Sequence, residues 1–239
     1  MYKHDPTIHN FSAAREILPN VLKLKKINSI LDVGCGTGTW LSVALELGVK
    51  EIAGVDGAAL DQTELKIPVG SFKNIDLTRA LNLNRKFDLA ICLEVAEHLP
   101  ESASKVLIGT LTDHSDFILF SAAIPGQGGQ NHINEQWPDY WQELFATKGY
   151  FPCDILRKAF WNNENVEWWY KQNILIYGTK EVLDARNLPV SENIDRIIHP
   201  ELLAEKINVI DDLNKFIHKE IWHPGLKRSF KNLVKAIIG

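Results

Sequence analysis

The residues with the most chemical potential are Glu94, Glu97 and His98, in the run Leu93-Glu94-Val95-Ala96-Glu97-His98-Leu99, and His132. A helical turn that begins at Glu94 would place Glu97 and His98 three and four positions on, hence on one face. Two carboxylates and an imidazole crowded together repel unless a cation gathers them. Such oxygen and nitrogen donors suit Mg, Mn, Fe or Zn and discriminate poorly among them. His132 offers a fourth donor from a polar loop, beside Asn131, Asn134 and Glu135. A divalent ion held by Glu94, Glu97, His98 and His132 would orient a hydroxyl and lower its pKa. Without an ion, His132 becomes a general base assisted by Glu97. The catalytic candidates are therefore His132, Glu97 and His98.

Positioning these groups requires a scaffold, and the chain spells one out. Ile30-Leu31-Asp32-Val33 runs into Gly34-Cys35-Gly36-Thr37-Gly38, and an amphipathic segment from Leu41 to Leu47 follows. That pattern is a buried strand (Ser29 to Val33), a tight glycine turn and a helix start. A dinucleotide fingerprint would place its third glycine one position later, where Thr39 stands. A second strand, Glu51 to Val55, ends in Asp56, twenty residues after Gly36. Doubly wound folds place a ribose-binding carboxylate at that distance; a plain strand-end turn, Asp56-Gly57, is the alternative. A short third strand, Ser71 to Ile75, ends in Asp76-Leu77, where Asp76 caps a helix at Thr78 to Leu83 or faces a ligand. Phe87 to Leu93 and Asp116 to Phe120 make a fourth and fifth strand, separated by a helix from Pro100 to about Leu111. Alternation of this length predicts a doubly wound α/β fold, a mostly parallel sheet with helices on both faces. Asp32, Asp56, Asp76 and Glu94 all fall at carboxyl ends of strands, where such sheets bind ligands.

The bulk properties narrow the classes. The chain has 239 residues, with 45% hydrophobic and 23% charged, an ordinary soluble composition. A formal charge of -4 gives no pull toward nucleic acid, and none is expected as a partner. The three cysteines, Cys35, Cys92 and Cys153, are widely spaced and suit buried thiols in a reducing compartment. The N-terminus lacks the apolar stretch of a signal peptide, so a cytoplasmic location is expected.

Asp32-Val33-Gly34-Cys35-Gly36-Thr37-Gly38, Asp56, Asp76 and Phe87-Asp88 through His98 together resemble the class I S-adenosylmethionine-dependent methyltransferases. The resemblance spans roughly residues 28 to 178. It implies a seven-stranded Rossmann-like sheet and S-adenosylmethionine binding by Asp32, Gly34, Gly36, Gly38, Asp56, Asp76 and Glu94, with their neighbours Gly57, Leu77 and Leu93. Within that family, Glu94-x-x-Glu97-His98 plus a later histidine is similar to the metal-dependent RNA 3′-terminal 2′-O-methyltransferases and the ubiquinone-pathway O-methyltransferases. No RNA-binding module accompanies it here. The stretch Pro125-Gly126-Gln127-Gly128-Gly129, continuing through Asn131-His132 to Trp141, resembles methyltransferases of polysaccharide-assembly functions. That likeness implies an O-methyltransferase acting on a hydroxyl of a sugar or glycan. Methylation of nitrogen or carbon on a small metabolite, and a non-catalytic cofactor-binding subunit, are the alternatives.

Beyond the fifth strand lie a glycine-rich loop, a helix from Gln136 to Lys148, and the segment Asp154 to Phe160. An aromatic helical piece near Val166 to Tyr170 and a last strand over Asn173 to Gly178 follow, the strand pairing with a sixth as an antiparallel hairpin. Trp137, Tyr140, Trp141, Phe145, Trp161, Trp168, Trp169 and Tyr170 concentrate on this acceptor side, as pyranose platforms or as core. Trp137 and Trp141, four apart, are expected to be buried. Earlier in the chain, residues 10 to 24 have helical spacing, with a kink or break expected at Pro19. The methyltransferase domain with this helix occupies residues 1–199, and residues 200–239 form C-terminal amphipathic helices. Leu203, Ile207, Ile210, Leu213, Ile217 and Ile221 make one apolar stripe, broken at Pro224-Gly225. A basic piece with Leu226, Phe230, Leu233, Val234 and Ile237 follows. Contact with a membrane surface, packing on the domain or a homodimer is its expected role.

Overall fold

A computed structural model describes residues 10–58, 60–221, 231 and 235. Its strands are β1 (Ser29–Val33), β2 (Glu51–Asp56), β3 (Phe72–Asn74), β4 (Leu89–Leu93), β5 (Phe117–Ser121), β6 (Tyr150–Cys153) and β7 (Leu175–Thr179). They form one seven-stranded sheet in the order β3-β2-β1-β4-β5-β7-β6. The first five are parallel, and β7 inserts antiparallel between β5 and β6. Every residue of β4 and β5 is buried, which is why these strands read as unbroken apolar runs.

Alternate side chains of these strands feed two cores. Ile30, Ile91, Leu119 and Ile176 point to one face, where α1 (Ser12–Leu24) and α2 (Thr39–Glu46) pack. Leu31, Cys92, Phe120 and Tyr177 point to the other, where α3 (Ser104–His114) and α4 (Pro138–Ala146) pack. All three cysteines are buried and free.

Several local expectations need correction. α1 runs through Pro19 without a break. An interior proline costs about 3 kcal/mol, and burial of Ala14, Ile17, Leu18 and Val21 at 0% exposure outweighs it, since each large apolar side chain is worth roughly 1.5–3 kcal/mol. Thr78 to Leu83 is not a helix; Thr78 donates from its backbone N–H (2.9 Å) and hydroxyl (2.6 Å) to Asp76, closing a turn. α4 starts at Pro138, two residues later than expected, because Pro138 fixes the first helical φ and leaves Trp137 outside. Tyr150 to Cys153 is the edge strand β6, and its place at the edge of the sheet lets the ladder tolerate Pro152. Asp154 to Phe160 contains a short helix, α5 (Leu156–Phe160). Arg157 in it pairs with Asp154 while buried. α6 (Trp168–Asn173) leads directly into β7, and α7 (Lys180–Asp184) follows it.

The chain divides into two compact units, residues 1–197 and 198–239. The second holds α8 (Pro200–Phe216), whose Leu203, Ile207, Ile210 and Leu213 are exposed, as is Ile217 beyond it. Pro224-Gly225 and the apolar positions 226, 230, 233, 234 and 237 lie outside the described residues. No described helix is long and apolar enough to cross a membrane.

Candidate active site

The glycine turn folds over the end of the sheet. Backbone N–H groups of Gly34 and Cys35 both donate to the Val55 carbonyl, at 2.8 and 3.1 Å, which ties the turn to β2. Gly34 has φ +85°, and a Cβ there would sit 2.3 Å from a Val95 methyl. Gly38 has φ +87°, and its Cβ would sit 2.8 Å from Ile67. Both positions need the left-handed backbone and the missing side chain, which brings bare peptide to the rim. Asp56 accepts from Gly36 N–H at 2.8 Å and from Ala58 N–H at 2.7 Å. One carboxylate thereby ties the glycine turn to the end of β2. Asp32 is buried beside it, and burial, then the Asp56 charge, push its pKa well up. Gly57 is exposed at the same rim, whereas Leu77 and Leu93 are buried. Asp76 is exposed, and its bonds to Thr78 hold its pKa down.

Glu94 ends β4 in a left-handed conformation, φ +53°, rare for a residue with a side chain. Its carboxylate accepts from Gln127 Nε2 at 3.0 Å and from Asn173 Nδ2 at 3.2 Å. Asn173 also donates to Gln127 Oε1 at 2.9 Å, and Gln172 Nε2 donates to Asn173 Oδ1 at 3.0 Å. A ladder of buried amides from the loop after β5 and from α6 thus grips this acid. Burial raises its pKa, while bonds from Ser121, Asn173 and Gln127 oppose the rise. Gln127 and Asn173 carry no functional signal in the sequence, because amides in a loop and a helix end have no recognisable spacing.

Glu94 does not start the helical turn that the sequence predicts, nor does it join the donor group. The turn that follows is Ala96–His98, a single 3-10 turn carrying both Glu97 and His98. Glu97, His98 and His132 converge, with ligand atoms all within 4.8 Å of one another. Glu97 is wholly buried; neither carboxylate oxygen makes a hydrogen bond of full geometry, and its own N–H, the Ala123 N–H and the Glu94 carboxyl lie close to it. Burial, then the Glu94 charge, push its pKa well above the ordinary value. The imidazoles of His98 and His132 meet edge to face, centroids 4.8 Å apart. Ile133 and Asn134 N–H groups donate to the Glu97 carbonyl at 2.9 and 3.1 Å, which docks the histidine loop onto the turn. His132 Nδ1 lies 2.9 Å from Glu135. One buried acid and two imidazoles at this spacing can hold a divalent ion or relay a proton.

The aromatic rings divide. Trp141 and Phe145 are core, both packed on Phe120 at 5.4 Å. Trp137 is only half-buried, with Arg196 stacked over its ring at 5.3 Å. Tyr170 on α6 meets Trp40, the second residue of α2, edge to face at 5.5 Å. That pair stands next to the Glu94 ladder, since the Glu94 charge helps raise the Tyr170 pKa after burial.

A family model described as a methyltransferase domain matches residues 8–173. Among solved structures, the methyltransferase domain of the bacterial protein CtHen1-C is 19% identical, with a TM-score of 0.51 over 71% of this chain and 99% of that one. Magnesium protoporphyrin IX methyltransferase from Synechocystis PCC 6803, with bound S-adenosylhomocysteine, is 17% identical, with a TM-score of 0.52 over 75% and 90%. The glycopeptide N-methyltransferase MtfA, complexed with sinefungin, is 12% identical, with a TM-score of 0.50 over 70% and 93%. No curated protein matches. At these identities the shared property is the fold.

Proposed function

The chain belongs to the methyltransferase domain family and takes its methyl group from S-adenosylmethionine; on that premise we propose that the acceptor is a hydroxyl of a sugar or glycan, activated at Glu97, His98 and His132. The observation that carries this reading is Glu97, a buried acid beside two imidazoles with neither oxygen in a hydrogen bond of full geometry. A buried polar atom without a partner costs roughly 1–3 kcal/mol, a cost that a bound cation or proton removes. The donors fit a divalent ion such as Zn, Fe or Mn, which would supply Lewis acidity that lowers a hydroxyl pKa.

S-adenosylmethionine supplies a methyl on a positively charged sulfur, with a good leaving group already in place. The protein therefore contributes alignment and an unprotonated nucleophile. Gly34, Gly36 and Gly38 give the cofactor bare backbone, and Asp56 offers acceptor lone pairs to its ribose hydroxyls. Glu94, fixed by Gln127 and Asn173, places negative charge near the donor. As the O–CH3 bond forms and the S–CH3 bond breaks, S-adenosylhomocysteine leaves and the hydroxyl proton passes to solvent. In a second reading without an ion, His132 takes that proton as a general base. The glycine-rich loop with its Trp137 supports a carbohydrate acceptor, through its likeness to polysaccharide-assembly methyltransferases. The exposed apolar stripe of α8 supports a homodimer contact.

The test uses [methyl-13C]-S-adenosylmethionine with a panel of methyl pyranosides bearing vicinal diols, before and after EDTA treatment. Product mass with the label on oxygen, lost after EDTA and restored by Mn2+ or Zn2+, is the expected result. Full turnover after EDTA removes the ion and leaves the His132 base. Label on nitrogen or carbon of another acceptor overturns the O-methyl reading.

A further inference from the structure

Glu135 is an acid whose contacts reach both the glycine-rich loop and His132. It sits three residues beyond His132 and is less than a fifth exposed, with a side-chain exposure of 18%. Its Oε2 accepts from Gly126 N–H at 2.7 Å, and its Oε1 accepts from Gly128 N–H at 2.6 Å. The same Oε1 lies 2.9 Å from His132 Nδ1. Two amide donors converge on this carboxylate, so it acts as an acceptor, and the third contact is a hydrogen bond only when Nδ1 carries the proton. In the neutral ring the second nitrogen, Nε2, then bears the lone pair.

The loop is built to allow this arrangement. Gly126 and Gly128 hold φ +84° and +72°, which turn their N–H groups inward onto one carboxylate. Gly129 has φ +155°, and a Cβ there would fall 2.3 Å from His132 Nε2. The imidazole thus lies against bare backbone on one side and is clasped by Glu135 at Nδ1. The glycine-rich run from Pro125 to Gly129, which in sequence looks like a flexible linker, is a mould for one histidine ring.

We propose that Glu135 is a positioning residue: its carboxylate staples the loop through Gly126 and Gly128 and fixes His132 in the Nδ1-protonated tautomer, with Nε2 presented to Glu97 and His98. The proposal rests on His132 acting as ligand or base, and holds for either role, because both need the Nε2 lone pair. A carboxylate behind a functional imidazole sets the tautomer and ring angle of that imidazole, and its loss typically costs about 10- to 100-fold in metal affinity or activity.

The test has a readout independent of acceptor and ion. Two-bond 1H–15N spectra of 15N-histidine-labelled protein report the tautomer of each ring, and His132→Ala identifies the resonance. In the parent protein the His132 ring is expected to show the Nδ1–H pattern. Glu135→Ala should convert it to the Nε2–H or a mixed pattern. With the pyranoside panel, Glu135→Ala should lower kcat about 10- to 100-fold with KM for S-adenosylmethionine changed less than twofold. Glu135→Gln keeps the shape but sets an NH2 group against one glycine N–H, and should give a smaller loss. It also guards against simple collapse of the loop in the alanine variant. An unchanged tautomer in Glu135→Ala, or a loss of turnover matched by weaker S-adenosylhomocysteine binding, overturns the positioning role. Those results leave the functional reading intact as long as His132→Ala is inactive, whereas full activity of His132→Ala overturns that reading by itself.

Discussion

Two acids at the carboxyl ends of the strands, Asp56 after the glycine turn and Glu97 beside the histidines, are satisfied in opposite ways. On the side of the glycine turn, Asp56 is held by the protein itself, taking N–H groups from Gly36 and Ala58. On the histidine side, Glu97 is buried with neither oxygen in a hydrogen bond of full geometry, whereas Glu94, three residues earlier, is secured by amides. The first region is finished by folding. On the proposed reading, the second is finished by what it binds, a cation or a proton. A fold keeps such an unfinished acid at a cost, which is the usual mark of a working group.

Substitutions should separate the two regions cleanly. The largest effect is expected for His132→Ala, which should reduce turnover about 100- to 10,000-fold, the range for loss of a general base, while calorimetry shows S-adenosylhomocysteine affinity within twofold. Asp56→Ala should do the reverse, with affinity falling at least about tenfold, as for a lost charge-assisted hydrogen-bonding group, and turnover following it. Should His132→Ala lose cofactor affinity, the two clusters form one site and the contrast collapses.

A smaller effect sharpens the cofactor side. Gly34→Ala combines a left-handed backbone with a 2.3 Å approach to Val95. It should destabilise the fold by about 1–3 kcal/mol, read as a lower Tm, and weaken cofactor binding. An unchanged Tm would mean that the turn is not held as tightly as its contacts to Val55 indicate.

The smallest effect has the opposite sign and probes the histidine side. Folding raises the Glu97 pKa, so the folded state holds that proton more tightly than the unfolded chain does. Stability from this group is therefore full below the ordinary carboxylate pKa and is lost as pH rises through the raised, folded value. Glu97→Gln has no such proton to lose. In EDTA-treated protein it should melt higher than the parent above neutral pH, by about 1–2 kcal/mol, the scale of an unsatisfied buried group, while being inactive. The advantage should vanish in acid. Parallel melting curves across pH would show that Glu97 is not an unfinished acid.

The sheet was legible because its signals are local. Apolar runs of five, glycines before a helix, and acids at strand ends follow from backbone sterics and burial, which act over a few residues. Elements that misled were decided by their surroundings: Pro19 inside α1 was tolerated because one helix face is fully buried, and β6 exists because β7 offers it an edge. The site divides the same way. Glu97, His98 and His132 could be named as candidates by residue type, yet Glu94 could not be told from them. Its left-handed backbone and the grip of Asn173, 79 residues on, withdraw it from the donor group.

The sequence by itself determined the parallel sheet, the glycine turn, and the inventory of acids and histidines at its rim, because each depends on neighbours within about one helical turn. Only the tertiary structure decided which acid is satisfied and which is left open. Those outcomes depend on loops from β4, β5 and α6 meeting in space, and a hydrogen bond between chain-distant groups leaves no periodic trace in the residues that make it.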